Sequence, residues 1–187
     1  MAHMIGERIR LREYRREDVR CMREWVNDPD ICNCLSDIFM YPHTLHQTES
    51  FVERVLEGQD GHQGFVIAER DTEAYIGQLD LFEIDWKNRC ADLGIVIGNR
   101  HHHGLGYGRE ALRLLQRFAF ETMNLHRLQL EVHDDNERAI RCYASCGFRE
   151  EGRQRQRIYR RGAYRDLVWM ACLREDYAAA TTLEQEA

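Results

Sequence analysis

The chain has 187 residues, 43% of them hydrophobic and 10% aromatic, a composition ordinary for one folded domain that excludes global disorder. Its formal net charge of −6 excludes the broadly basic surface of a generic nucleic-acid binder and better suits a cationic partner. No apolar run reaches bilayer length, and seven cysteines, an odd number with no apolar signal-peptide core ahead of them, read as reduced thiols in a cytoplasmic protein.

Met1 to Met4 reads as a cloning scar followed by the native start, so His3 is given no role. Arg8 to Leu11 (β1) alternates charged and apolar residues as a half-buried strand does, and Val19, Met22 and Val26 then stand at helical spacing. Residues 27–43 hold both prolines, Pro29 and Pro42, without sustained periodicity, and are expected to form a long irregular loop. Thr44-Leu45-His46-Gln47 fits a capping box, and Phe51, Val52 and Val55 extend it as an apolar helical stripe ending near Gly58. Phe65 to Glu69 (β2) and Tyr75 to Ile84 (β3) flank the charged segment Arg70 to Ala74 in the pattern of an antiparallel hairpin. Cys90 to Ile97 (β4) alternates again, with Leu93, Ile95 and Ile97 expected on one face and Asp92, Gly94 and Val96 on the other.

Gly106 to Met123 is the strongest helical segment, its apolar face carrying Ala111, Leu112, Leu115, Phe118 and Ala119. A strand at Leu128 to Val132 (β5) and a helix from about Asn136 to Ser145 follow. A strand pair, Phe148 to Tyr159 (β6) and Tyr164 to Leu173 (β7), turns at Arg161-Gly162 and completes the order βααβββαβαββ. With no repeat, low-complexity tract or linker, residues 5–174 are expected to form a single domain and 175–187 a C-terminal tail. The apolar run Leu167 to Leu173 suggests a strand edge on which a second copy could pair.

The segment His103-Gly104-Leu105-Gly106-Tyr107-Gly108-Arg109-Glu110-Ala111 sets three glycines after a strand and at the mouth of the longest helix. Glycine lets backbone approach an anion closely, and the unpaired N–H groups of a first helical turn point at it with the helix dipole behind them. The turn therefore suits a pyrophosphate, or else serves only as a flexible helix entry. The Gly-Lys-Ser/Thr ending of a P-loop is missing, and strands in antiparallel pattern precede the turn where a Rossmann unit needs an early parallel βαβ; coenzyme A remains as the common phosphate-bearing ligand. No metal is expected, because His101, His102 and His103 are consecutive and cannot converge on one ion. Neither Cys32-x-Cys34 nor Cys142-x3-Cys146 has zinc spacing.

Together with Ala91-Asp92-Leu93-Gly94-Ile95-Val96-Ile97, Asn136-Glu137-Arg138-Ala139-Ile140-Arg141-Cys142-Tyr143 and Cys146-Gly147-Phe148-Arg149-Glu150-Glu151-Gly152, this turn carries a resemblance. From about Ile9 to Leu173 the chain resembles the GNAT superfamily of N-acetyltransferases, and within it the RimJ/RimL-like and spermidine N-acetyltransferase-like proteins. Those relatives usually have Gln or Arg where this chain has His103. The resemblance implies an α/β (α+β) GNAT fold: a mixed, mostly antiparallel central sheet of about seven strands, splayed between β4 and β5, with four main helices. It implies acetyl-CoA as cosubstrate, with the pyrophosphate at His103, Gly104, Leu105, Gly106, Tyr107, Gly108 and Arg109. The pantetheine arm would lie along Ile95, Val96 and Ile97 like an extra strand, past a bulge at Gly94, and meet Asn136, Ala139 and Tyr143. Asn136 is equally a good helix N-cap.

The same resemblance implies transfer by direct attack of an amine on the thioester. Asp92, where many relatives carry a glutamate, is the candidate base, acting directly or through water, or else a structural hydrogen-bond acceptor. Tyr143 is the candidate acid beside the sulfur, or else a packing aromatic, and backbone N–H groups near Val96 would stabilise the oxyanion. The acceptor is a primary amine on a small molecule or a protein N-terminus. Asp28, Asp30, Asp37 and Glu49 favour a cationic acceptor such as a polyamine. Arg149, Arg153, Arg155, Arg157, Arg160, Arg161 and Arg165 form either a solvated face or a site for an anionic one, such as a nucleotide-linked amino sugar. Nucleic acid and membrane are not expected as partners; a homodimer or larger homo-oligomer is implied for many relatives. The alternative function is an acyl-CoA-binding module without turnover.

Overall fold

The computed structural model describes residues 4–58 and 63–185; the reading of residues 1–3 lies outside them. Seven strands form one mixed sheet in the order β1-β2-β3-β4-β5-β7-β6, with β4 and β5 parallel and antiparallel ladders from β1 to β3 and from β5 to β6. This is the sheet the sequence led us to expect. The chain divides into two compact units, one made of residues up to Glu83 with Gly94–Leu114, the other of Ile84–Leu93 with the chain from Leu115 onward.

In the first unit, β1 (Ile9–Arg12) pairs with β2 (Gln63–Glu69), and β2 with β3 (Tyr75–Asp85). Helix α1 (Asp18–Trp25) is clamped to β1 by a buried bidentate pair, Arg12 to Asp18 at 2.7 and 2.8 Å. The expected loop at 27–43 is in part helical. Pro29 opens a single turn, α2 (Pro29–Cys32), whose N-cap Asp28 accepts from the Asp30 N–H, and a 3₁₀ turn follows at Asp37–Phe39. Proline at a first helical position removes only an N–H that has no helical partner, so a turn too short to show periodicity forms there. Helix α3 (Leu45–Leu56) begins at the capping box read from the sequence, Thr44 and Gln47 each bonding the other's backbone N–H. Tyr14, Met22, Trp25, Val26, Ile31, Val52, Val66, Ala68 and Val96 pack into one core.

Strand β4 (Cys90–Ile97) departs from simple alternation. Its buried positions are Ala91, Leu93 and Val96, while Ile95 and Ile97 are only half-buried, so the inside-outside phase slips by one residue around Gly94. An extra residue in a strand produces that slip, and it overturns the expected face of Leu93, Ile95 and Ile97. A Cβ on Gly94 would come within 3.2 Å of the Phe82 ring.

The second unit is built on β5 (Arg127–His133), which pairs over its full length with β7 (Ala163–Leu173); β7 in turn pairs with β6 (Arg149–Arg160). Strand β7 therefore has a neighbour on each side and offers no edge, contrary to the expectation from its apolarity: a strand buried between neighbours is apolar for that reason. The edge is β6, exposed and charged along most of its length. Helix α4 (Tyr107–Arg117) runs on into a π-helical turn, Phe118–Thr122, filling the span expected for one helix. Helices α5 (Glu137–Ser145) and α6 (Arg174–Gln185) bring the total in the described residues to six. The two beyond the expected four are the single turn α2 and α6, which occupies most of the expected tail.

Candidate active site

In the first unit the glycine turn leads directly into α4. Gly104 and Gly106 have φ of 76° and 86°, left-handed values that a Cβ disfavours, and no atom lies within 4 Å of where a Cβ on Gly104 would be. The first N–H groups of α4 begin at Tyr107, where an α-helix has no internal acceptor for them. His103 ties the turn to the strand before it, its Nε2 lying 3.0 Å from the Ile97 carbonyl oxygen. His102 packs edge-on to the Tyr107 ring at 5.5 Å, and His101 is exposed, so the three histidines serve separate ends. Among the described residues no group of three or more His, Cys, Asp or Glu is placed to hold a metal ion.

Two residues that brace this turn were not identified from the sequence. The Arg8 guanidinium donates to the Leu105 carbonyl at 2.7 Å, lies 5.0 Å from the Tyr107 ring centroid, and would stand 3.0 Å from a Cβ on Gly106. Glu110, one turn into α4, accepts from the Arg8 and Ile9 backbone N–H groups and from Arg8 Nε. The partners are about a hundred residues apart in sequence, a separation that no local pattern signals. Backbone N–H groups, a helix N-terminus and one guanidinium form the donor set of an anion cradle, so the turn fits the pyrophosphate of acetyl-CoA. Arg109 is exposed and Gly108 half-buried at the same helix start.

Ile95, Val96 and Ile97 also lie in the first unit, whereas Asp92, Asn136, Ala139 and Tyr143 lie in the second. Asp92 faces its register partner on β5, accepting from Gln129 Nε2 at 2.5 Å. Gln129 in turn accepts from Arg127 Nε at 2.8 Å, and Arg127 pairs with Glu151, holding that carboxyl below its usual pKa. The half-buried Asp92 thus belongs to a polar chain across the β4–β5 ladder, which covers Cys90–Asp92 against Arg127–Gln129. Asn136 caps α5, its side-chain oxygen accepting from the Ala139 N–H at 3.3 Å. Because the cap uses only the oxygen, its NH₂ donors have no partner among the described residues. Tyr143 is buried on α5 with its ring 5.9 Å from that of Phe148, and its hydroxyl makes no hydrogen bond among the described residues. Burial, with Cys142 and Cys146 nearby, pushes its pKa well above the usual phenol range.

A second feature absent from the sequence reading is a buried polar chain in the first unit. Trp25 Nε1 donates to Tyr75 Oη at 3.0 Å, Tyr75 to Gln78 at 3.2 Å, Gln78 to Asp80 at 3.3 Å, and Tyr14 Oη to Asp80 at 2.7 Å. Between α1 and α3 lies a groove of about 750 Å³ lined by residues of both charges, including Arg16, Arg20, Glu49 and Glu53. Of the residues singled out from the sequence, Glu49, one of the acidic residues favouring a cationic acceptor, lines it, and none of the candidate catalytic or acetyl-CoA-binding residues does.

An acetyltransferase (GNAT) domain model matches residues 8–149. The chain is 30% identical over 182 residues to the spermidine N(1)-acetyltransferase of Escherichia coli strain K12, covering 91% of this chain and 89% of that one. It is 27% identical over 174 residues to the spermidine N(1)-acetyltransferase of Vibrio cholerae, covering 92% and 97%. The crystal structure of the Vibrio cholerae spermidine N-acetyltransferase in complex with CoA and spermine matches with a TM-score of 0.79 at 26% identity, over 91% of this chain and 98% of that one. The chain belongs to the GNAT acetyltransferase family and transfers an acetyl group from acetyl-CoA to an amine.

Proposed function

We propose that residues 5–174 act as one catalytic domain, followed by a tail at 175–187. This domain would acetylate a primary amine, on a small molecule or a protein N-terminus, by direct attack of that amine on the thioester. The observation that carries this reading is the anion cradle at the start of α4, where Gly104 and Gly106 take left-handed φ and the Arg8 guanidinium donates to the turn. When bound, acetyl-CoA supplies an activated acetyl group. The chain's part is to hold it, to take a proton from the amine and to hydrogen-bond the departing sulfur. Gly104 to Arg109 would receive the pyrophosphate, Ile95 to Ile97 would pair with the pantetheine arm, and Asn136 would donate to it from the NH₂ that its cap leaves unused.

Asp92 takes the proton that an alkylammonium holds up to about pH 10, directly or through a water, before nitrogen attacks the acetyl carbon. As the C–S bond breaks, the Tyr143 hydroxyl donates to the departing sulfur. Its raised pKa supports the role in one respect, because the phenol keeps its proton throughout the working range. It opposes full transfer, so the hydrogen bond must strengthen as charge builds on sulfur. A cytoplasmic location is consistent with seven free cysteines and with the finding that no helix among the described residues is long and apolar enough to cross a membrane. Assembly as a homo-oligomer is proposed from the family resemblance alone.

Incubation with acetyl-CoA and a panel of spermidine, aminoglycosides, amino sugars and ribosomal-protein N-terminal peptides, followed by mass spectrometry, tests this function. A mass gain of one acetyl group with matching thiol release is expected. Thermal stabilisation by acetyl-CoA without turnover on any amine would make the chain a binding module instead.

A further inference from the structure

Strands β6 and β7 pair, with a one-residue shift between Glu150 and Gly152, as far as Gln154 opposite Leu167, and pairing resumes at Ile158 opposite Arg165. Arg155, Gln156 and Arg157 therefore stand against Asp166 alone, and β6 bows outward between them. Gln156 takes a φ of 53°, a left-handed value uncommon for residues with a Cβ, and its N–H is held by Asp166 Oδ1 at 2.9 Å. The Asp166 carbonyl in turn accepts from the Asp134 N–H at 3.1 Å, two residues before Asn136. The bulge is thus fixed to the corner where β5 gives way to α5, and strain held by dedicated contacts beside candidate site residues is a mark of function.

The arginines of this hairpin are not equivalent. Arg149 pairs with Asp176 at 2.6 Å, Arg153 with Glu150 at 2.6 Å, Arg160 with His133 at 2.7 Å and Arg165 with Asp135 at 3.8 Å; Arg161, at the turn, is also engaged. Arg155 and Arg157, on either side of Gln156, are exposed and have no hydrogen bond or ion pair among the described residues. Of the acidic residues that by count favour a polycation, Arg100 holds Asp28 at 3.4 Å and Asp30 at 2.5 Å, while Asp37 and Glu49 have no ion pair among the described residues.

We propose that Arg155 and Arg157 bind a carboxylate or phosphate group on the acceptor, so that the amine acetylated by this chain belongs to an anion-bearing molecule and not to a polyamine. The inference rests on the acetyl-transfer reading above and specifies its acceptor. Guanidinium forks match both anions in bidentate fashion, and two such groups with no partner among the described residues give the bulge its excess positive charge.

Matched pairs test it: glucosamine against glucosamine 6-phosphate, ethanolamine against phosphoethanolamine, and cadaverine against lysine, with spermidine as the polycation. Binding to the CoA-loaded protein is measured by isothermal titration, and acetylation by mass-detected kcat/KM. The phosphate and carboxylate pairs identify which anion is read. In at least one pair the anionic member should be favoured about tenfold or more, the worth of one charged hydrogen bond. In the double variant Arg155→Ala/Arg157→Ala that ratio should fall to near one, and Arg157→Glu should shift selectivity toward spermidine. Ratios near one in every pair, spermidine as the preferred acceptor, or a ratio unchanged in the double variant would overturn the proposal and assign the arginines to guarding the β6 edge. Anion-selective binding that the double variant abolishes, without acetylation of any amine, upholds the anion site at Arg155 and Arg157 and removes the catalytic reading. Acetylation without anion selectivity does the reverse.

Discussion

Tyr143 separates chemistry from binding more cleanly than any other side chain here. Replacement by Phe keeps the packing on Phe148 and deletes only a hydroxyl with no partner among the described residues, so fold and acetyl-CoA affinity should be retained. Assistance by a general acid is worth roughly 10²–10⁴-fold, and kcat of Tyr143→Phe should fall within that range with little change in KM for acetyl-CoA. The loss should grow with pH, as solvent becomes a poorer proton source for the thiolate. Unchanged kcat from pH 7 to 9 would make Tyr143 a packing residue. Asp92→Asn should lower kcat most at low pH, where the amine holds its proton most firmly; a loss of stability without a loss of rate would reduce Asp92 to a member of the Gln129–Arg127 chain. The glycine turn and the Asn136 N-cap were legible because each is a short motif whose local structure has a mechanical reason, whereas Tyr143 was singled out by the family resemblance. Arg8 and Glu110 were not, since their contact depends on β1 meeting α4, and tertiary pairing leaves no periodic trace.

At the scale of elements, the sequence was informative where one element determines its own pattern and silent where neighbours do. The capping box of α3 and most of the apolar face of α4 follow from helix geometry and appear as read: Ala111, Leu112, Leu115 and Ala119 are buried, while Phe118 is half-buried. The phase of β4 slips at Gly94, and the apolarity of β7 comes from burial between β5 and β6; both depend on neighbouring strands. The β1–α1 clamp is also such a case. Arg12 and Asp18 are almost fully buried, and Asp18 accepts a further bond from the Arg15 N–H at 2.8 Å. Arg12→Met would leave that carboxylate without its cation, which costs about 3–5 kcal/mol in buried pairs. Urea unfolding should show the unfolding free energy in water fall by that amount, and a loss under ~1 kcal/mol would mean that water or Arg15 replaces the cation.

For the whole molecule, burial of phenols sets the alkaline limit of stability. Desolvation raises the pKa of Tyr14, Tyr75 and Tyr143, assisted for Tyr14 by the Asp80 carboxylate. A group whose folded pKa lies above its unfolded value contributes stability that is complete below the unfolded value and is lost as pH rises past it. For phenols that value is about 10. The melting temperature should therefore drop steeply above about pH 10, and the phenolate absorbance of these three tyrosines should appear together with unfolding; titration ahead of unfolding would show that they are open to solvent. Central to the account is that acetyl-CoA is held at the turn that opens α4, and CoA binding to Gly106→Glu by isothermal titration tests this most directly. The substitution forces a Cβ into a φ of 86° beside Arg8 and adds a negative charge at the cradle. With far-ultraviolet dichroism unchanged, affinity should fall about a hundredfold or more, equivalent to roughly 3 kcal/mol, and acetyl transfer should fall with it. CoA bound as tightly by the variant as by the parent would contradict the account.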